Sequence, residues 1–316
     1  MLSRWIILFF LGSISFGQDV IGEGLYEDEL IDFLQENYKT STTLGYTDAR
    51  DTLYLNIDRI DGQVKGVYTN YAVDLPETGV DPSTHLDENG MNCEHTWPQS
   101  MYEGSEPMKS DMHHLYPCKA NVNSSRGNDP FAEIPDEDTD KWYRDDYYLT
   151  YIPNEYIDEY SEKYNPPNNP EDERFEPREN RKGDIARSMF YFYTMYSEVA
   201  EEDFFNLQKE ILYQWHMEDP PFEDETNRTW AIAEYQENKP NPFILDATLV
   251  GRAYFYDGAL QGDMNSDGDL NVLDIVALMN MILYGGETNP AGDMNGDGEL
   301  NVLDVVILAN IILSQN

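Results

Sequence analysis

At 316 residues the chain is long enough for one sizeable hydrophobic core with a small second unit beside it. Its 61 acidic residues against 20 basic ones give a formal charge of −41, which by itself argues against the broad basic surface of most nucleic-acid binders. Past the N-terminus no run approaches the roughly 20 apolar residues of a bilayer crossing, so no membrane span is expected.

Met1 to Arg4, an apolar run from Trp5 to Leu11 and small residues ending at Gly17 read as a secretory signal over 1–17, and hence an exported protein. The spacing of Leu30, Ile31, Phe33 and Leu34 predicts an amphipathic helix over Glu27 to Tyr38. A second helix is expected from Thr47 to Leu55, then a strand over 63–73 and a turn-rich loop from Pro76 to Asn89. Asn92 to Trp97 reads as a short strand or strand end, and Ser110 to Asn123 as a loop running into a helix. Residues 128–177, acidic and rich in Tyr and Pro, read as surface loops or an insertion. Asp184 to Tyr196 predicts a strongly apolar helix whose stripe (Ile185, Met189, Phe192, Tyr196) is core. Helices are also expected over 204–215 and 229–237.

The stretch from Met91 to Phe131 holds three of the five histidines and both cysteines, with clustered Asn, Ser and Arg. A buried segment would not gather so many polar groups that each need a partner, so this stretch reads as an active site. The residue types suit a divalent ion at a phosphodiester. Glu94 and Asn123 offer oxygen ligands, His95 a base and Arg126 a phosphate clamp. Spacing alone does not force this, because Glu94 and His95 would converge only at a bulge or strand end. Export permits a Cys93–Cys118 bridge pinning the halves of the stretch together, two buried free thiols being the alternative. Arg174, Arg178, Arg181, Lys182 and Arg187 bunch in one short segment, either a phosphate-binding surface or a solvated face.

Beyond Gly258 the character changes, which places a domain boundary there: 18–258, then 259–316. DMNSDGDLNVLD at 263–274 returns as DMNGDGELNVLD at 293–304, an offset of 293 − 263 = 30, each copy followed by an apolar helix. Asp263, Asn265, Asp267, the Asp269 carbonyl, Asn271 and Asp274 fall at the six ligand positions of a calcium loop. Asp293, Asn295, Asp297, Glu299, Asn301 and Asp304 repeat them, with Gly268 and Gly298 at the sharp turn. Two structural Ca²⁺ ions are expected. A unit of this size cannot bury all the apolar residues of its helices, so the remainder faces a partner or the chain's own larger unit.

Two resemblances extend these readings. Asn-x-Glu-His-x-Trp-Pro-Gln-Ser from Asn92, Asp-x-His-His-Leu-x-Pro from Asp111 and Val-Asn-x-x-Arg-Gly-Asn from Val122 resemble the bacterial endonuclease I family. Gly66-Val67-Tyr68-Thr69, Lys182-Gly183-Asp184, Trp215-His216 and Asn241-Pro242-Phe243-Ile244 carry the resemblance outward. It implies an α+β fold, mainly helical around a ββα-metal (His-Me) finger. His95 would be the general base, Glu94 and Asn123 the ligands of one catalytic Mg²⁺, and Arg126 would lie on the substrate phosphate. The implied activity is non-specific cleavage of DNA, and of RNA too, leaving 5′-phosphate ends. The C-terminal duplicate resembles a type I dockerin, which implies a small all-α calcium-loop domain that docks on a cohesin-like partner protein. The alternative is a catalytically inactive nuclease fold serving as a binding module displayed through the dockerin.

Overall fold

The computed structural model describes residues 20–256, 261–264, 270–284, 289–295 and 298–314. The signal at 1–17, Asn265, Asp267 and Asp269 of the first repeat, and Asp297 of the second lie outside them. The described chain mixes helices with small antiparallel sheets, the α+β class.

α1 (Glu27–Tyr38) buries Leu30 and Leu34, the stripe its spacing predicts, and opens on three acids that complement the helix dipole. α2 (Tyr46–Thr52) runs into a π-helical turn over Leu53–Ile57. The strand expected over 63–73 is a meander instead. β1 (Arg59–Ile60), β2 (Gln63–Lys65) and β3 (Ala72–Asp74) pair in that order, with Gln63 opposite Asp74. The chain turns back after Gly66, where a Cβ would meet the Lys119 backbone nitrogen at 3.2 Å. This close approach lets Val67 N–H donate to the Pro117 carbonyl at 2.8 Å. α3 (Pro82–Glu88) occupies the expected loop; Asp81 caps it through Thr84 N–H, and Pro82 fixes its first turn.

β4 (Met91–His95) and β5 (Leu115–Lys119) form an unbroken antiparallel ribbon, Met91 opposite Lys119 through to His95 opposite Leu115, and α4 (Ala120–Arg126) follows at once. The sequence reading of a loop there overlooks β5, which tolerates Pro117 because that residue turns its backbone outward, toward Val67. The expected surface loops at 128–177 contain β6 (Lys141–Arg144), β7 (Tyr147–Leu149), β8 (Ser161–Tyr164) and β9 (Arg174–Glu176). They form one antiparallel sheet in the order β7-β6-β8-β9.

α5 (Lys182–Met195) is the axis of the main core, with Ile185, Met189, Phe192 and the adjoining Tyr196 fully buried as expected. Around it lie α6 (Glu202–Asn206), α7 (Lys209–Glu218), α8 (Glu223–Ala233), α9 (Pro242–Leu245) and α10 (Thr248–Tyr254). Trp97 stacks on Phe192 with centroids 5.0 Å apart and is fully buried, which makes it core. A second core gathers Leu53, Tyr54, Val64, Leu86 and Ile232.

The β4–β5 ribbon is buried between the two cores. Tyr116 and Cys118 pack into the main one; Met91, Cys93 and Leu115 pack into the second. This corrects the disulfide expectation. Cys93 stands opposite Pro117 and Cys118 opposite Asn92, so alternation sends the two side chains to opposite faces. Both are buried free thiols, and no bridge can join Cβ atoms that point apart.

In the C-terminal repeats α11 (Val272–Tyr284) and α12 (Val302–Ser314) pack around Met264, Leu278 and Leu308. The two halves repeat each other's bonds. Asp274 accepts from Met264 N–H (2.9 Å) and Asn271 N–H (2.8 Å); Asp304 accepts from Met294 N–H (2.9 Å) and Asn301 N–H (2.8 Å). Gly298 takes φ 75° at the sharp turn and donates to the Asp293 carboxylate at 2.8 Å. Val272, Leu273, Val276 and Leu283 are exposed, and so are Val302, Leu303, Val306 and Leu313 at the equivalent places.

Candidate active site

The ribbon and α4 assemble most of the singled-out side chains. Two donors from α4, one turn apart, meet the backbone of β4 and of Thr96 just beyond it. Asn123 Nδ2 donates to the Cys93 carbonyl (3.0 Å) and to Asn92 Oδ1 (2.9 Å). Arg126 Nη2 donates to the Thr96 carbonyl at 2.6 Å. With its amide nitrogen held on two acceptors, Asn123 keeps Oδ1 for another ligand. Glu94 is only 2 % exposed; its Oε1 accepts from Tyr68 O–H at 2.8 Å and lies 3.5 Å from Arg126 Nη1. Burial pushes the Glu94 carboxyl above its ordinary range, against the pull of Arg126 and the Tyr68 hydrogen bond.

His95 is the last residue of the ladder, and its ring leaves the opposite face from Glu94. It packs against Tyr46 and His114, each with centroids 5.4 Å away. Its Nε2 lies 3.1 Å from the Lys109 carbonyl, which can only accept, so Nε2 carries the proton and Nδ1 is the basic nitrogen. Burial, reinforced by His114, pushes the His95 pKa down to about 3, so the imidazole is neutral at neutral pH. His113 and His114 are buried, each with Nε2 on a backbone carbonyl: Lys239 at 2.9 Å and Met108 at 2.6 Å. The structure thus brings Glu94 and Arg126 together and holds Asn123 one turn away on α4 against β4, while His95, at the strand's end, turns its ring to the opposite face.

Two expectations are corrected. Arg126 is fully buried, its guanidinium stacked 4.6 Å over Phe131 and engaged with the Thr96 carbonyl, so it braces the strand and does not reach out to a phosphate. The bunched basic residues are likewise tied internally. Lys182 ion-pairs with Glu133, Glu176 and Glu179 at 2.7–2.8 Å. Arg187 pairs with Glu225 at 2.6 Å, and Arg181 pairs with Asp184. Arg178, 2 % exposed, donates Nε to the Val67 carbonyl at 2.9 Å, and burial lowers its pKa to about 10. Arg174 donates to the carbonyls of Glu171 and Glu173. Lys182, Arg187 and Arg181 thus answer the buried acids Glu176, Glu225 and Asp184 where β9 joins α5, while Glu133, Glu179 and Glu171 lie at the surface.

Sequence reasoning missed Tyr68 and Asn92 as supports of the site. Their signals were the Gly66-Val67-Tyr68-Thr69 segment and the Asn that opens the Glu-His motif.

The donor types suit a hard divalent cation, which takes oxygen ligands: one carboxylate and one oriented amide oxygen. Among the described residues no three His, Cys, Asp or Glu side chains form a ready-made cage. Fold and site define an α+β protein with a ribbon-and-helix polar centre and a neutral histidine. The endonuclease I family model matches residues 27–248, and the chain belongs to that family. A type I dockerin domain model matches 261–313. The extracellular ribonuclease of Bacillus subtilis (strain 168) is 27 % identical over 170 residues, 48 % of this chain and 50 % of that protein. The extracellular ribonuclease of Bacillus amyloliquefaciens is 26 % identical over 218 residues, 58 % of this chain and 67 % of its own length. The chain therefore spans half to two thirds of these relatives.

Proposed function

We propose that the chain is a secreted, metal-dependent, non-specific endonuclease that hydrolyses phosphodiester bonds of DNA and RNA. Residues 1–17 would be its signal, 18–258 its catalytic unit and 259–316 a dockerin-like unit. β4, β5 and α4 act in this reading as a ββα-metal finger. The observation that carries it is His95: a neutral imidazole whose tautomer the Lys109 carbonyl sets, at the end of the strand that carries a buried Glu94.

Glu94 and Asn123 would hold one Mg²⁺, which neutralises charge developing on the phosphate. His95 Nδ1 accepts a proton from water while Nε2–H stays on Lys109. The water oxygen bonds to phosphorus and the 3′-oxygen leaves, taking a proton from solvent, which gives a 5′-phosphate and a 3′-hydroxyl. Tyr68 holds Glu94, Asn92 orients Asn123, and Arg126 braces the strand. The relatives' names support RNA as a substrate and an extracellular location for the chain.

The C-terminal unit binds two Ca²⁺ in this reading, through Asp263, Asn265, Asp267, Asp269, Asn271 and Asp274, and through Asp293, Asn295, Asp297, Glu299, Asn301 and Asp304. Its duplicated exposed apolar residues support docking on a cohesin-like partner. Plasmid nicking in Mg²⁺, in EDTA and with His95→Ala tests the catalytic reading. Cutting that needs metal and vanishes in the variant is expected. A folded protein that cuts nothing in Mg²⁺, Mn²⁺ or Ca²⁺ would sink it.

A further inference from the structure

With the bunched cations engaged by acids and carbonyls of their own chain and a formal charge of −41, that segment is not a free basic surface for a polyanion. Contacts that do not depend on charge would then have to add to whatever grip the ion supplies. Stacking of nucleobases on aromatic rings is the contact that fits, since every base presents a π-face.

The β6–β7 hairpin offers such a ring beside α4. Tyr143 is buried, and its hydroxyl donates to Ser125 Oγ at 2.7 Å, between Asn123 and Arg126 on that helix. Directly opposite Tyr143 on β7 stands Tyr148, with ring centroids 5.7 Å apart. Tyr148 is 50 % exposed, and Lys141 Nζ lies 5.5 Å from its ring centroid. Neighbours opposite each other across a ribbon share a face, so Tyr148 faces the side on which Tyr143 meets α4. Asp145 and Asp146 form the adjacent hairpin turn, so a phosphate gains little here and a base face gains more.

We infer that Tyr148, backed by Lys141, is a stacking platform for an unpaired base of the substrate strand, and that it gives the site a preference for single-stranded nucleic acid. The inference rests on the nuclease reading above. A base paired within a duplex is already stacked on its neighbours and cannot use this ring without being flipped out.

The test is fluorescence anisotropy on the full chain in EDTA, so that the strand is not cut. The ligands are a labelled single-stranded DNA oligonucleotide, its RNA counterpart and the DNA duplex of the same sequence. Tyr148→Ala should lower the ratio of single-strand to duplex affinity about tenfold, the effect expected from losing one stacked base. Tyr148→Phe should restore it, and Tyr151→Ala, which removes another exposed tyrosine, should leave it where it was. A ratio unchanged by Tyr148→Ala, or a loss that Phe fails to restore, would overturn the platform and leave the nuclease reading standing. A folded wild-type chain that binds none of the three ligands would overturn the platform alone, because EDTA removes the ion of the nuclease reading, which plasmid nicking in Mg²⁺ tests separately. Equal losses on DNA and RNA strands support stacking; a loss on RNA alone would point to recognition of the ribose and overturn it.

Discussion

The depressed basicity of His95 has a consequence for stability that can be measured apart from catalysis. The ring has an ordinary pKa of 6.5 when unfolded and about 3 in the folded chain, with burial as the main cause. The folded state therefore binds this proton less readily than the unfolded state. The stability this group confers is complete above 6.5 and is lost progressively as pH falls from 6.5 toward 3. Between pH 8 and pH 5 the linkage amounts to about 2 kcal/mol from this side chain alone. His113, His114 and His216 are also lowered by burial and add their own losses, so wild-type data alone do not isolate His95. The difference against His95→Gln does, because the amide can keep the bond to the Lys109 carbonyl but does not titrate. Urea denaturation of both proteins at pH 8 and pH 5 should show the wild type losing about 2 kcal/mol more than the variant. A difference below about 0.5 kcal/mol would mean that the ring is solvated, and the reasoning that keeps it a neutral base would fail.

Four further outcomes are expected. Tyr68→Phe removes the hydroxyl that holds Glu94 Oε1 and should raise the Mg²⁺ concentration giving half-maximal cleavage about tenfold, with calorimetric Mg²⁺ titration showing the same shift. Arg126→Ala leaves Glu94 buried beside an empty site and should cost about 3 kcal/mol in urea denaturation, whereas a fully stable variant with only a raised KM would reinstate a phosphate contact. Asp304→Ala strips the acceptor of the Met294, Asn295 and Asn301 amides; in calorimetry of the full chain, the transition that Ca²⁺ raises should fall and lose its response to Ca²⁺. Thiol titration in denaturant without reductant should find two free thiols per chain, and none would restore the Cys93–Cys118 bridge.

What was legible in the sequence follows from what periodicity can carry. α1 and α5 show themselves because helical spacing and burial coincide, and the 30-residue repeat because both copies keep their ligand positions. β5 was hidden by its proline and by its burial on both faces, which erases alternation. The β6–β9 sheet was hidden by acids and prolines in its turns, although Trp142, Tyr143 and Phe175 are strand-forming residues buried within it. At the site, residue types were legible and partners were not. Charge alone could not say that Lys182 answers three glutamates, and closeness in sequence could not say that Cys93 and Cys118 leave opposite faces.

The same limit explains why charge and activity looked opposed. A chain of −41 that also bunches five basic residues invites the expectation of an electrostatic groove whose grip weakens steeply with salt. Four of those cations are tied into the fold: Lys182, Arg187 and Arg181 neutralise buried carboxylates, and Arg178 holds the Val67 carbonyl. Specific chemistry does not need a charged groove if one ion and one stacked base fix the strand. On the proposed reading, a neutral base, an ion site made of one carboxylate and one amide, and an exposed tyrosine would be the economical set for an acidic member of this family. Binding by such a set should depend on salt through few phosphate contacts, with a correspondingly shallow slope.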